Sequence, residues 1–252
     1  MRGYTLVSLL VALALAASVA AEPGARSVQA APVGAGGLTD ARFGDHITHE
    51  RAVLDFQSAT APEFNWSYRP GDTVVRVRLP ETQATSVTGG PGLGRAISHY
   101  RVVRSQNGWL FVDLHLRGAA RSVNVFELQN PGRIVVDVRP GGLQTVPSPA
   151  FAGGTYIMTP RGGTAVGPGE FRVSGYDRPF EASGAWRLRD SSGQVVSRGI
   201  YTTADWSVTW GAYGFRATYP ERLSGQRGTL EVGQFSPRDG SFSGASVPVR
   251  FR

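Results

Sequence analysis

Residues 109–117 read Trp-Leu-Phe-Val-Asp-Leu-His-Leu-Arg. Leu110, Val112, Leu114 and Leu116 fall on one side of an extended chain; Trp109, Phe111, Asp113, His115 and Arg117 fall on the other. Successive side chains of a strand point to opposite faces, so this period of two predicts a half-buried strand, apolar inward and polar outward. Residues 73–79 repeat the pattern, with Val75, Val77 and Leu79 opposite Arg76 and Arg78, and so do residues 133–139 and 247–251. Beyond the first 21 residues no stretch carries the 3.6 period of a three-turn amphipathic helix. Short alternating strands, broken by many of the 33 Gly and 16 Pro, predict an all-β chain built of sandwiches or barrels.

A length of 252 residues suggests one or two domains. The N-terminus has a basic start at Arg2, an almost wholly apolar stretch from Thr5 to Val19, and small residues at Val19-Ala20-Ala21. That pattern predicts a signal peptide over 1–21, cut after Ala21, and hence an extracytoplasmic chain, secreted or envelope-associated, with no transmembrane span once mature. Retention as an uncleaved anchor is the alternative. A third reading is that residues 2–10 resemble a type IV pilin leader cut after Gly3, with Ser8 standing where that family has Glu. Residues 22–38 have no apolar periodicity and read as a flexible linker. A second linker is placed at 142–154, within a stretch where Pro147-Ser148-Pro149 and Gly153-Gly154 cluster. The division is thus a β domain at 39–141 and another at 155–252, two β-sandwich-like domains in tandem. So little apolar surface in the intervening segment predicts that the two fold separately.

Composition removes several kinds of chemistry. There is no Cys, hence no disulfide, thiolate metal site or thiol nucleophile. All 26 basic residues are Arg, so a phosphate loop built on Lys and a Schiff-base lysine are excluded. Net charge is +7, or +6 after removal of 1–21, which favours anionic surfaces such as wall polymers or lipid headgroups, although ordinary solubility is the preferred reading of the charge over a specific polyanion site. Residues 240–244 have Phe242 where a nucleophile elbow needs Ser, and no His-Glu-x-x-His is present. His46, His49, His99 and His115 provide no third ligand at a recognisable spacing; His46 and His49 would point to opposite faces of a strand. Asp113 and His115 share a strand face and could act as an acid–base pair, but no nucleophile relates to them, and both are expected to be exposed. The chain is therefore expected to have no catalytic residues, no metal and no cofactor.

Two resemblances sharpen this. In the first half, Gly44-Asp45-His46, then Glu50-Arg51-Ala52-Val53-Leu54-Asp55-Phe56, and later Asn130-Pro131-Gly132-Arg133-Ile134-Val135-Val136-Asp137-Val138, resemble the AMIN-type domain, in its AMIN-like variant. That resemblance implies a compact β module associating with peptidoglycan. In the second half the quoted pieces are Phe171-Arg172-Val173-Ser174-Gly175-Tyr176, Arg178-Pro179-Phe180, Trp210-Gly211 and Ser236-Pro237-Arg238-Asp239-Gly240. They resemble the immunoglobulin-like domain of spore-germination proteins often found beside a GerMN domain. It implies an immunoglobulin-like sandwich with an accessory role and no catalytic residues.

The expected function is an exported, non-catalytic envelope protein, one module docking on peptidoglycan or another anionic wall polymer and the other meeting a further envelope protein. Nucleic acid is not an expected partner. The alternatives are an assembly component of a surface or spore-envelope apparatus held by its N-terminal helix, and an unrecognised wall hydrolase. Wall-binding candidates are Arg51, Arg76, Arg78 and Arg117, because guanidinium pairs bidentately with carboxylate. For Arg51 the preferred reading is an ion pair within the domain, with Glu50 or Asp55. Trp206 and Trp210 are the candidates for an interaction loop, with Trp210 the more apt to pack.

Overall fold

The computed structural model describes residues 36–252. The expected signal peptide and residues 22–35 of the first linker lie outside the described residues. Among those described, no helix is long and apolar enough to cross a membrane.

The first sheet contains β1 (Leu38–Asp45), β2 (Glu50–Phe56), β9 (Arg133–Pro140) and β8 (Ala120–Leu128), antiparallel and in that order. The strands at 50–56 and 133–140 are neighbours in it: β2 pairs with β9, Arg51 opposite Asp137 and Leu54 opposite Ile134. Leu38, placed in the flexible linker by sequence, is fully buried and pairs with Phe56, so the ordered body includes it.

The second sheet has nine strands and runs through both halves of the chain. Its first half consists of β3 (Asn65–Tyr68), β4 (Val74–Leu79), β6 (Ile97–Arg104) and β7 (Leu110–Leu116), with the short β5 (Gly89–Pro91) beside β6. Its second half is β10 (Ala150–Ala152), β11 (Thr155–Thr159), β13 (Glu170–Asp177) and β16 (Trp210–Thr218). The halves are joined by a short parallel pairing of β6 and β16, Val103 with Trp210 and Arg104 with Gly211. The third sheet runs β12 (Thr164–Val166), β18 (Phe242–Phe251), β17 (Arg227–Phe235), β14 (Ser183–Arg189) and β15 (Val195–Thr202).

Two cores fill these layers. Leu54, Val77, Val112, Leu114 and Val136 belong to the first; Val173, Trp186, Leu188, Leu230 and Val249 belong to the second. The alternation read from the sequence sets which side chains enter each core. The all-β class and the sandwich layering follow the expectation.

The second face of β7 does not. All seven of its residues are buried, Asp113 and His115 included, where polar-outward alternation predicted exposure. The cause is a second packing surface. Val103 and Phe111 meet Tyr156 and Tyr176 in a third cluster, with Met158 and Trp210 against it. The face of β6–β7 turned away from the first core is thereby covered by the second half. The halves share an apolar seam, and separate folding is not what this geometry favours.

The 142–154 segment is fastened rather than loose. The Gly142 N–H donates to Ala119 O at 2.9 Å, and the N–H groups of Thr145 and Val146 both reach Gly71 O at 3.1 Å. Residues 150–152 form β10, pairing with β11. Gly71 has φ +85°, and a Cβ there would come within 2.0 Å of the Thr145 hydroxyl, so only glycine allows this approach.

Candidate functional site

The candidate arginines divide by whether the fold has already used them. Arg51 donates to both carboxylate oxygens of Asp137, at 2.7 and 2.8 Å. The intradomain pair is present, but its acid is neither Glu50 nor Asp55. Glu50 is adjacent in a strand and points to the opposite face, and Asp55 takes Arg42 at 2.7 Å. Glu50 is instead fully buried, accepting from the backbone N–H groups of Leu93, Ala96 and Ile97.

Arg76 was expected to face solvent with Arg78. Its guanidinium forks onto Asp113, with both bonds at 2.7 Å, and its Cζ lies 4.0 Å from the centre of the Phe111 ring. Strand register explains this, since β4 sets Arg76 opposite Asp113 and Arg78 opposite Phe111. Arg78 remains exposed and reaches only the Ser67 hydroxyl, at 3.2 Å. Arg117 is exposed beyond the end of β7.

Asp113 thus has both oxygens taken and no exposure, and His115 is bonded through Nε2 to the Tyr176 hydroxyl. The pair offers no accessible acid–base chemistry. The rings of His99 and His115 stack at 4.4 Å, and His99 Nε2 meets the Tyr156 hydroxyl at 2.7 Å. Both imidazoles are held neutral. Burial and then the charge of Arg101 push His99 down to about 4. Burial, followed by His99, Arg101, Arg161 and Arg76, pushes His115 well below its ordinary value. His46 and His49, expected on opposite strand faces, lie in the β1–β2 turn with rings stacked at 4.6 Å. Among the described residues no group of three His or acidic side chains could hold a metal.

A depressed histidine pKa removes stability as pH falls from about 6.5 toward 4, because the unfolded chain takes up protons that the folded one refuses. Asp177 works in the opposite sense: burial raises it to about 7, against hydrogen bonds from Tyr201 and Thr155, so folding is favoured as pH falls through that range. Melting alone therefore mixes the two. The clean readout is imidazole ¹⁵N resonances: at pH 5.5 those of His99 and His115 should still be those of neutral rings. Protonation near pH 6.5 would contradict the buried stack.

Four arginines converge on a cleft of about 330 Å³ between the halves. Arg69, Arg76 and Arg78 come from the β3–β4 side, and Arg161 comes from the loop after β11. Asp72 is the one acid lining it; it stands 3.3 Å from Arg161, whose Nη1 is buried without a hydrogen-bond partner. Among the described residues no acidic side chain pairs with Arg69 or Arg78. A concave wall of one sign focuses the field and attracts oxyanions. The alternation in β4 marked Arg76 and Arg78; Arg69 and Arg161 lie in turns far apart in sequence, and only the seam brings them together.

The interaction-loop tryptophans also differ. Asp205 organises the loop, accepting from the N–H groups of Trp206, Ser207, Val208 and Thr209 and from Arg104 at 3.2 Å. Against burial, which would raise it, the Thr209 hydroxyl and the N–H groups of Thr209, Ser207 and Val208 hold its carboxyl well below the usual range. Trp206 is 43% exposed, edge-on to Phe180. Trp210 lies in β16, packed edge-on against Tyr156 and Tyr176 with Arg101 over its ring.

These features define an all-β chain of two fused sandwiches whose second half has immunoglobulin-like layering and which carries a cleft lined by four arginines. Residues 156–241 match the family model for the immunoglobulin-like domain of bacterial spore germination. The match starts within β11 and stops just before β18, the strand that completes the third sheet. The N-terminal half matches no AMIN model. No curated protein and no solved structure matches the chain.

Proposed function

We propose that the protein is an exported, non-catalytic envelope component that associates with peptidoglycan or another anionic wall polymer, with its immunoglobulin-like half as an accessory interaction module. The observation carrying this reading is the surplus of unmatched arginine. Residues 36–252 contain 24 arginines. Nine of them stand in ion pairs: Arg42, Arg51, Arg76, Arg95, Arg104, Arg161, Arg187, Arg189 and Arg216. The other fifteen have no acidic partner among the described residues; all of them except the half-buried Arg101 and Arg133 are exposed and can face an external polyanion. The wall as the source of that polyanion is supported by the resemblance of residues 44–56 and 130–138 to the AMIN-type domain alone.

Each exposed arginine–carboxylate contact contributes about 1 kcal/mol or less, so binding must be multivalent and weakened by salt. The test is co-sedimentation of residues 22–252 with purified sacculi across a salt series. Pelleting at low salt that is lost near 1 M supports the reading. Failure to pellet at any salt overturns it.

A further inference from the structure

We propose that the arginine cleft and the hollow beside it form one composite binding site for an anionic glycan segment. The site would seat a saccharide ring against Trp109 and acid groups over Arg78, Arg69 and Arg161. This deepens the wall-association reading by giving it a place and a ligand class.

Three observations converge. The first is the charge imbalance of the cleft, where four arginines face a single lining acid. Arg76 is neutralised by Asp113 behind it and Arg161 is only partly matched by Asp72, which leaves Arg69 and Arg78 free for a ligand. The second is continuity. A second hollow of about 330 Å³ lies on the other side of Arg76 and Arg78, which line both, and its farther residues include Asn107, Trp109 and Phe111. Its wall is more apolar than that of the cleft, and Trp109 keeps 38% of its surface exposed there. The third is scale: each hollow is at the lower end of the range for ligand pockets, so together they suit a short stretch of polymer rather than a lone ion.

The chemistry follows. Indole presents a flat apolar face that packs on the C–H face of a sugar, while its N–H can bond to a hydroxyl. Guanidinium forks onto carboxylate or phosphate, and the exposed Arg78 and Arg69 can do so without first breaking an internal ion pair. Ser67 and Ser174 add neutral hydroxyls in the cleft. The site needs both halves, because Arg161 and Ser174 come from the second while Arg69, Arg78 and Trp109 come from the first.

The test uses residues 22–252 with three soluble probes, oligogalacturonate, polyglutamate and dextran, and in parallel with sacculi. The sacculi are used native, with carboxyls amidated, or stripped of phosphodiesters by hydrofluoric acid. Oligogalacturonate should bind more tightly than polyglutamate, and dextran should not bind. Arg78→Gln and Trp109→Leu should each weaken oligogalacturonate binding about three- to fivefold, and R69Q/R78Q about tenfold or more. The melting midpoint of R69Q/R78Q should stay within about 2 °C of the parent, because both side chains are exposed. Loss of pelleting on amidation identifies carboxylate as the natural group, and loss on hydrofluoric acid treatment identifies phosphate; either supports the site if R69Q/R78Q shows the same loss. If the chain pellets but these variants pellet and bind oligogalacturonate like the parent, the site is overturned while wall association stands. If oligogalacturonate binds and the variants lose it but no sacculi pellet, the site stands and the wall reading falls. Equal binding of polyglutamate, unaffected by Trp109→Leu, overturns the glycan assignment.

Discussion

Replacing Asp113 by alanine should lower the melting midpoint of the chain by roughly 10 °C, the largest single effect expected in the seam. Asp113 is fully buried and is the ion-pair partner of Arg76, with a bond to each guanidinium arm. Removing one member of such a pair leaves an uncompensated charge and typically costs about 3–5 kcal/mol. Arg76 keeps 26% of its side chain in solvent, which places the loss near the lower end, about 3 kcal/mol. For a body of this size 1 kcal/mol moves the midpoint by about 2–4 °C. Removing both charges, as R76M/D113L, should recover part of the loss, since a packed apolar pair can replace a buried ionic one. A D113A midpoint within 2 °C of the parent would show that Arg76 finds water as easily as it finds Asp113. The same loss for the double variant would show that packing, and not charge, is being measured.

Glu50→Ala should be nearly as damaging, for a different reason. Its carboxylate accepts backbone N–H groups from Leu93 at 2.9 Å, Ala96 at 2.7 Å and Ile97 at 3.0 Å, which ties the β5–β6 turn to the start of β2. Alanine orphans these donors, and an unsatisfied buried donor costs about 1–3 kcal/mol. Two of the three are on fully or nearly buried residues, so the total should be about 3 kcal/mol. Glu50→Gln should fall between, because one carbonyl oxygen survives while the amide –NH₂ opposes the donors. Amide hydrogen exchange at Ala96 and Ile97 gives a local readout: both should lose protection in Glu50→Ala well before the C-terminal strands do. Uniform loss across the chain would mean that Glu50 supports global stability without holding this turn.

These two acids show how far the sequence could be read. Alternation in 109–117 set the phase of β7 correctly and put Leu110, Val112, Leu114 and Leu116 in a core. Polarity then suggested solvent for Asp113 and His115, because alternation reports one packing face and says nothing about a second. The missed signal was the company on that face: Phe111 and Trp109 shared it, an unusual makeup for a strand side meant for water. Glu50 was legible as part of a motif but not as a turn clamp, since its donors lie more than 40 residues away. The cleft was half legible. Arg76 and Arg78 stood out by register, whereas Arg161 joins them only through a seam between segments that sequence had assigned to separate bodies. The immunoglobulin-like half was the more readable because its resemblance extends along most of its strands, and the family match at 156–241 supports that part.

The seam also changes what an intact backbone is needed for. Between Gly142 and Ser148 the chain is held at both ends by hydrogen bonds to the first half, and the two sandwiches remain joined by the β6–β16 rungs, the Val103–Phe111–Tyr156–Tyr176 cluster and the Arg104–Asp205 pair. A protease nick in that stretch cuts one covalent link and leaves all of these contacts in place. Two fragments divided there, made separately and mixed, would have a ready-made surface on which to reassemble. The protein is thus a natural candidate for fragment complementation, and a clipped species would still migrate as a single particle under native conditions.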